Sequence, residues 1–290
     1  LRRRLVAGAD ATPLATPLER PAAGFALAKR IGTGVVFIPL FYLFTRYAPV
    51  WAFSAFVVLL GAVGQWEFTA MFRRVGVTAY PWLGLVAGVL VTGSFGLARA
   101  APWVLTLVVA GLLSAGLAHR REFPPRWEAV ALTLLGVCYV NWLLGHAILL
   151  RALPQGADWV FLLVWVTWVG ESAAYFVGST LGRHRLAPRI SPRKTIEGAL
   201  AQLAVSPLAS LVGRWWFFPE CGLRDALVVG LLLGVVGQLG DLAESWLKRS
   251  ARTKDTGSLI PGHGGLLDRL DSLLFNTPAL FYYARFVASP

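Results

Sequence analysis

The chain has 290 residues, of which 56% are hydrophobic and 14% charged, with a mean hydropathy of +0.62. A soluble domain carries about 25% charged residues, so the composition excludes an ordinary soluble enzyme and points to a polypeptide that resides in a bilayer. The net charge of +12 would suit a nucleic-acid partner, but the basic residues stand in short clusters between apolar runs, where membrane proteins place their cytoplasmic loops. No nucleic-acid partner is therefore expected.

In chain order, residues 1–28 are rich in Arg, Ala and Pro and read as a basic, uncleaved, disordered tail. Residues 29–290 form the membrane-embedded domain. Apolar runs of roughly 20 residues, the length that crosses a bilayer core as a helix, predict nine helices in an all-α, polytopic transmembrane bundle. Their expected spans are 31–47, 50–71, 80–98, 101–118, 128–150, 158–178, 196–213, 224–247 and 266–287. Trp51, Trp82, Trp103 and Trp159 lie close to predicted boundaries, as an interfacial aromatic belt requires. The connections alternate in charge, with twenty basic residues on the side of the N-terminal tail and six on the other. The positive-inside rule places the N-terminus in the cytoplasm and the C-terminus outside. The long basic loops 179–195 and 248–265 then share the cytoplasmic face. Cys138 and Cys221 are far apart and make neither a metal-ligand spacing nor a disulfide framework.

Carboxylates inside membrane segments are costly and usually functional. Near the end of the eighth helix Asp241, Glu244, Ser245 and Lys248 follow one another at helical spacing and share a face. Asp241 lies roughly 10 Å along the helix from Lys248, near the depth of a lipid phosphate. The ninth helix opens with Asp268, Arg269 and Asp271. Two acidic faces at one depth could hold Mg²⁺, which takes one or two carboxylates together with water and phosphates; simple ion pairs with nearby Lys and Arg are the alternative. Between the helices lie Lys254, Gly257, His263, Gly264 and Gly265. Glycines let a backbone approach a ligand, and a helix N-terminus offers N–H groups to an anion. Lys248, Arg249, Arg252 and Lys254 add charge for a polyphosphate. His263 suits either a phosphate contact or a structural turn. The loop lacks the Gly-Lys-Ser/Thr of a Walker A motif.

Ser245-Trp-Leu-Lys248-Arg249, then Lys254-Asp255-Thr-Gly257, then Pro261-Gly-His263-Gly264-Gly265-Leu-Leu-Asp268-Arg269-Leu-Asp271 resembles the signature of the phosphatidate cytidylyltransferase family. Ser191-Pro-Arg-Lys194-Thr-Ile-Glu197-Gly198 resembles a second family segment, Ser-Pro-x-Lys-Thr-x-Glu-Gly. The resemblance spans about 165–275. It departs at Glu171-Ser-Ala-Ala-Tyr175, where the family carries Asp-Thr-x-Ala-Tyr.

This resemblance implies transfer of CMP from CTP to phosphatidic acid, releasing pyrophosphate and giving CDP-diacylglycerol. It implies Mg²⁺ as cofactor, with room for a second metal ion, and assigns the metal to Asp241 and Asp268. Lys194, Lys248, Arg249 and Lys254 would hold phosphates, with Asp271 and Glu197 orienting these cations. Ser191, His263, Gly264, Gly265 and Arg269 complete the expected substrate-binding set. The expected setting is a bacterial inner membrane, with the site facing the cytoplasm, membrane lipid around it, and a homodimer left open. A CTP-dependent polyprenol kinase and a transporter are the competing readings.

Overall fold

In a medium without water a chain must satisfy its own backbone, which helices do within one segment. Nine helices occupy the described residues of the computed structural model, namely 38–77, 79–118, 127–257 and 264–288. The expected tail over 1–28 and His263 lie outside the described residues. Two compact units divide the chain, Leu1–Tyr42 and Leu43–Pro290, and the packing below concerns the second.

Helix α1 covers 38–47 of the described residues. It is followed by α2 (Val50–Arg73), α3 (Pro81–Ser94), α4 (Ala100–Ala118), α5 (Trp127–Arg151) and α6 (Gly156–Thr180). A two-stranded antiparallel hairpin comes next, β1 (Arg185–Ala187) and β2 (Ser191–Thr195), and then α7 (Ile196–Trp216), α8 (Leu223–Ser250) and α9 (Leu267–Phe286). Six of these, α2 and α4 to α8, are long and apolar enough to cross a membrane. The 14-residue α3 is a shorter apolar helix. The chain is an integral membrane protein of the all-α, polytopic kind that the apolar runs predict. Two local features differ from expectation. Helix α3 ends at Ser94, and the turn that follows brings Arg99 to a φ of 60°. The basic stretch before α7 also folds into a hairpin instead of an open loop.

Side-chain contacts pair like ends of alternating helices. Arg46, at the end of α1, bonds Asp158 near the start of α6 at 3.2 Å. At that same end the Tyr283 hydroxyl of α9 donates to Asp225 of α8 at 2.6 Å. At the other end Glu67, late in α2, meets the first residues of α9. Helices α6, α7, α8 and α9 pack in sequence, while α9 also lies along α5 and α2 along α3.

A buried polar knot joins the first half. The π-helical turn Val137–Trp142 inside α5 carries Asn141, whose side-chain amide donates to Gln65 Oε1 at 2.9 Å. Thr92 donates to the Asn141 side chain and carbonyl at 3.1 and 3.3 Å. A wide turn exposes backbone that an α-helix would satisfy internally, and Thr92 supplies a donor there. A Cβ on Gly61 or Gly88 would strike Asn141 at 2.7 or 2.6 Å, so both glycines make room for the knot.

The crossing of α7 and α8 sets the second half. Pro207 inside α7 packs against Gly230 of α8, and a Cβ on Gly230 would collide with the Pro207 backbone. Backbone cannot move aside as a side-chain tip can, so overpacking here separates two helices. Gly230→Ala is expected to destabilise the protein by about 1–3 kcal/mol, read as a lower thermal midpoint in detergent. Gly111→Ala, in open space, should leave the midpoint unchanged; equal effects would show that the crossing is not tight.

Candidate active site

The last two turns of α8 carry the polar face read from the sequence. Ser245 Oγ reaches back one turn to Asp241 Oδ1 at 3.4 Å. The Lys248 ammonium donates to Glu244 Oε2 and to Asp268 Oδ1, each at 2.8 Å. A single lysine thus bridges a carboxylate on its own helix and one on α9. The Lys248 side chain is 14% exposed and that of Glu244 only 1%. Close approach of the two helices is permitted by Gly240, whose added Cβ would meet the Asp271 carbonyl at 2.7 Å. Glu244 Oε1 is buried without a partner among the described residues.

Asp268 organises the loop that precedes it. Its Oδ2 accepts from the Thr256 N–H and hydroxyl, both at 3.1 Å, and from the Gly265 N–H at 2.9 Å. Gly264 stands at φ +81°, in the left-handed region that favours glycine, and a Cβ there would press on Asp268 Oδ2 at 2.8 Å. Both neighbouring glycines are therefore needed to bring the loop onto the acid.

The hairpin delivers the second cation. Along β2, Pro192 and Arg193 are exposed, Lys194 is half-buried and Thr195 buried. Thr195 then caps α7 by accepting from the Gly198 N–H at 3.1 Å. Lys194 Nζ lies 2.6 Å from Asp241 Oδ2. Arg249 ties the hairpin to the end of α8, with Nε on the Ile190 carbonyl and Nη1 on the Thr253 carbonyl, both at 3.1 Å. Ser191, at the start of β2, is half-buried, while Lys254 and Arg269 are exposed. Glu171 of α6 lies within electrostatic range of Asp241, Lys194 and Arg269, and Asp271 within range of Glu171, Asp241 and Glu244.

The two acids expected to orient the cations do other things. Glu197 bonds the His184 ring at 2.6 Å and accepts from its backbone N–H. Asp271 Oδ1 accepts from the adjacent Ser272 N–H at 2.7 Å. Lys194 is held instead by Asp241, and Lys248 by Glu244 and Asp268. Among the described residues no three His, Cys, Asp or Glu side chains converge as a ready-made metal cage.

The sequence profile of the cytidylyltransferase family matches residues 28–287. The chain belongs to that family. The phosphatidate cytidylyltransferase of Synechocystis sp. is 34% identical over 264 residues, covering 80% of this chain and 88% of that relative. The phosphatidate cytidylyltransferase of Bacillus subtilis is 38% identical over 157 residues, covering 54% of this chain and 58% of the relative. An uncharacterized Escherichia coli protein, YnbB, is 41% identical over 148 residues, or 49% of each chain. Every site residue described above falls inside the stretch that the family profile matches.

One residue of this cytidylyltransferase's site escaped the sequence reading. Glu67, 6% exposed, accepts from the Leu266 and Leu267 N–H groups at 3.0 and 2.8 Å and from the Thr256 hydroxyl at 3.4 Å. The signal was present, because an acid inside the apolar run Gln65-Trp66-Glu67-Phe68 is as costly as those on α8. Its partners are about two hundred residues away, and no local motif announces them.

The two lysines differ in burial, and their removal should separate accordingly. Lys248→Met leaves two nearly buried carboxylates unpaired, which typically costs about 3–5 kcal/mol, and should lower the thermal midpoint sharply. Lys194→Met breaks a pair whose side chains are 22% and 31% exposed and should cost about 1 kcal/mol or less. Similar midpoints for the two variants would contradict the bridging role of Lys248.

Proposed function

We propose that this chain is a phosphatidate cytidylyltransferase of a bacterial plasma membrane, making CDP-diacylglycerol and pyrophosphate from CTP and phosphatidic acid. The observation that carries the reading is the meeting of Lys194–Asp241 with Lys248–Asp268 at one end of α8 and α9. Membership of the cytidylyltransferase family and the similarity to the Synechocystis phosphatidate cytidylyltransferase over most of both chains support it. The site would face the cytoplasm, where CTP is found, in keeping with the excess of basic residues in the loops at that end.

In the reaction a phosphatidate oxygen attacks the α-phosphorus of CTP. A new P–O bond forms, the α–β bridging P–O bond breaks, and pyrophosphate leaves with the electron pair. Such chemistry relies chiefly on positioning and on neutralising charge. Lys194 and Lys254 would bind phosphate oxygens, Lys194 exchanging its carboxylate partner for substrate. Lys248 keeps the acids of α8 and α9 in register. Arg249 would hold the hairpin over the phosphates and offer its remaining N–H donors, while Ser191, Gly264, Gly265 and Arg269 line the approach. No side-chain nucleophile is required.

The residues present fit a magnesium ion. The donors are all oxygen, Asp241 is partly exposed, Asp268 Oδ2 is committed to the loop while Oδ1 bonds Lys248, and buried Glu244 Oε1 has no donor among the described residues. Asp241 and Asp268 would hold the ion, with substrate phosphates completing a shell that the protein alone does not close. When bound it would neutralise charge developing on the nucleotide phosphates.

Purified protein incubated with labelled CTP and phosphatidate should yield labelled CDP-lipid and unlabelled pyrophosphate when the label is in the cytidine. CDP with a polyprenyl phosphate from a polyprenol acceptor would replace the proposal with a kinase, and no turnover with either acceptor would replace it with a transporter.

Lys254 supplies a finer check. Lys254→Ala removes a charge-assisted phosphate contact and should cut turnover efficiency roughly 10- to 150-fold. The loss should appear with CTP as the varied substrate, with phosphatidate saturation little changed. An unaltered CTP dependence would move the nucleotide contacts to Lys194 and Arg249.

A further inference from the structure

The last residues of α2 take part in the site without belonging to any of its motifs. Glu67 is buried, and it touches both described flanks of the connection between α8 and α9. On the near flank the Thr256 hydroxyl, fully buried, lies 3.4 Å from Glu67 Oε2, and a Cβ on Gly257 would meet Oε1 at 2.7 Å. On the far flank Leu266 N–H donates to Oε1 at 3.0 Å and Leu267 N–H to Oε2 at 2.8 Å. A Cβ on Gly265 would meet Oε2 at 2.7 Å.

This arrangement is a helix cap supplied from another helix. The first N–H groups of a helix have no partner within it, and α9 carries no side-chain cap from its own preceding residue. Glu67 accepts from two of these groups, and its negative charge lies at the positive end of the α9 dipole. Asp268, one residue beyond Leu267, depends on the same geometry. Its Oδ2 shares the Thr256 hydroxyl with Glu67, and its Oδ1 holds Lys248. Moving the start of α9 would therefore move Asp268 and Lys248 together.

We propose that Glu67 is a positioning residue for nucleotidyl transfer, a remote carboxylate cap that clamps both flanks of the phosphate loop so that Asp268 and Lys248 stay in register. The proposal rests on the cytidylyltransferase reading of the site. The role requires a carboxylate, because both oxygens face N–H donors. A glutamine of the same size would point its own N–H₂ at one of them. Aspartate, one methylene shorter, can serve only one flank.

The test compares wild type, Glu67→Gln and Glu67→Asp in nanodiscs by three readouts: steady-state kinetics, thermal midpoint, and hydrogen–deuterium exchange of peptides covering 264–270. A misplacement of about 1 Å at reacting groups can cost 100-fold. Glu67→Gln should thus lose kcat roughly 10- to 100-fold while remaining folded, with the KM for phosphatidate unchanged and faster exchange at Leu266 and Leu267. Glu67→Asp should fall between the two.

Wild-type kcat and exchange in Glu67→Gln would overturn the proposal, as would rapid exchange of these amides in the wild type. If neither variant accumulates folded, the residue is a structural requirement and the positioning role is refuted. Failure of the underlying functional reading looks different, since wild type itself would then make no CDP-lipid while the exchange difference at 264–270 persisted.

Discussion

Where helices cross a medium without water, charge has to be held by neighbouring side chains, and here Lys248 ties two helices together. Its ammonium bonds Glu244 one turn back and Asp268 on the next helix at equal distance. Neither acid has enough exposure to rely on solvent, so α8 and α9 cannot slide or rotate past one another without stranding a charge. Such pairs add little net stability beyond a well-packed apolar contact, but breaking one is expensive. What the tie secures is register, and register is what a nucleotidyl-transfer site needs.

Around this tie the site is assembled from segments that are distant in the chain. The hairpin brings Lys194 to Asp241, and Arg249 bonds the hairpin backbone back to the end of α8. Asp268 gathers three donors from the loop, and Gly264 and Gly265 allow the chain to come that near. Glu67 completes the arrangement from α2. The first half of the protein, with its Gln65–Asn141–Thr92 knot, thereby holds a carboxylate against the start of α9 in addition to forming helices. The placement of charge follows a simple logic. Lys248 and its acids are buried and set geometry. Lys194 and Asp241 are partly open, and Lys254 and Arg269 are exposed to solvent.

Much of this was legible in the chain alone. Apolar runs of bilayer length determined that the protein is a bundle of membrane helices, because a backbone without water has few other options. Helical spacing determined that Asp241, Ser245 and Lys248 share a face, since that depends only on 3.6 residues per turn. The signature motif located the loop and the family. Partner choice was not local information. Lys194 was assigned to phosphate, with Glu197 and Asp271 orienting the cations, yet Glu197 turns to His184 and Lys194 to Asp241. The packing of the hairpin against the end of α8 decided that. The cap of Glu67 on α9 forms only once helices far apart in the chain are packed together. Composition and periodicity depend on a residue's own neighbourhood, whereas a hydrogen bond across two hundred residues depends on where the whole bundle puts its ends.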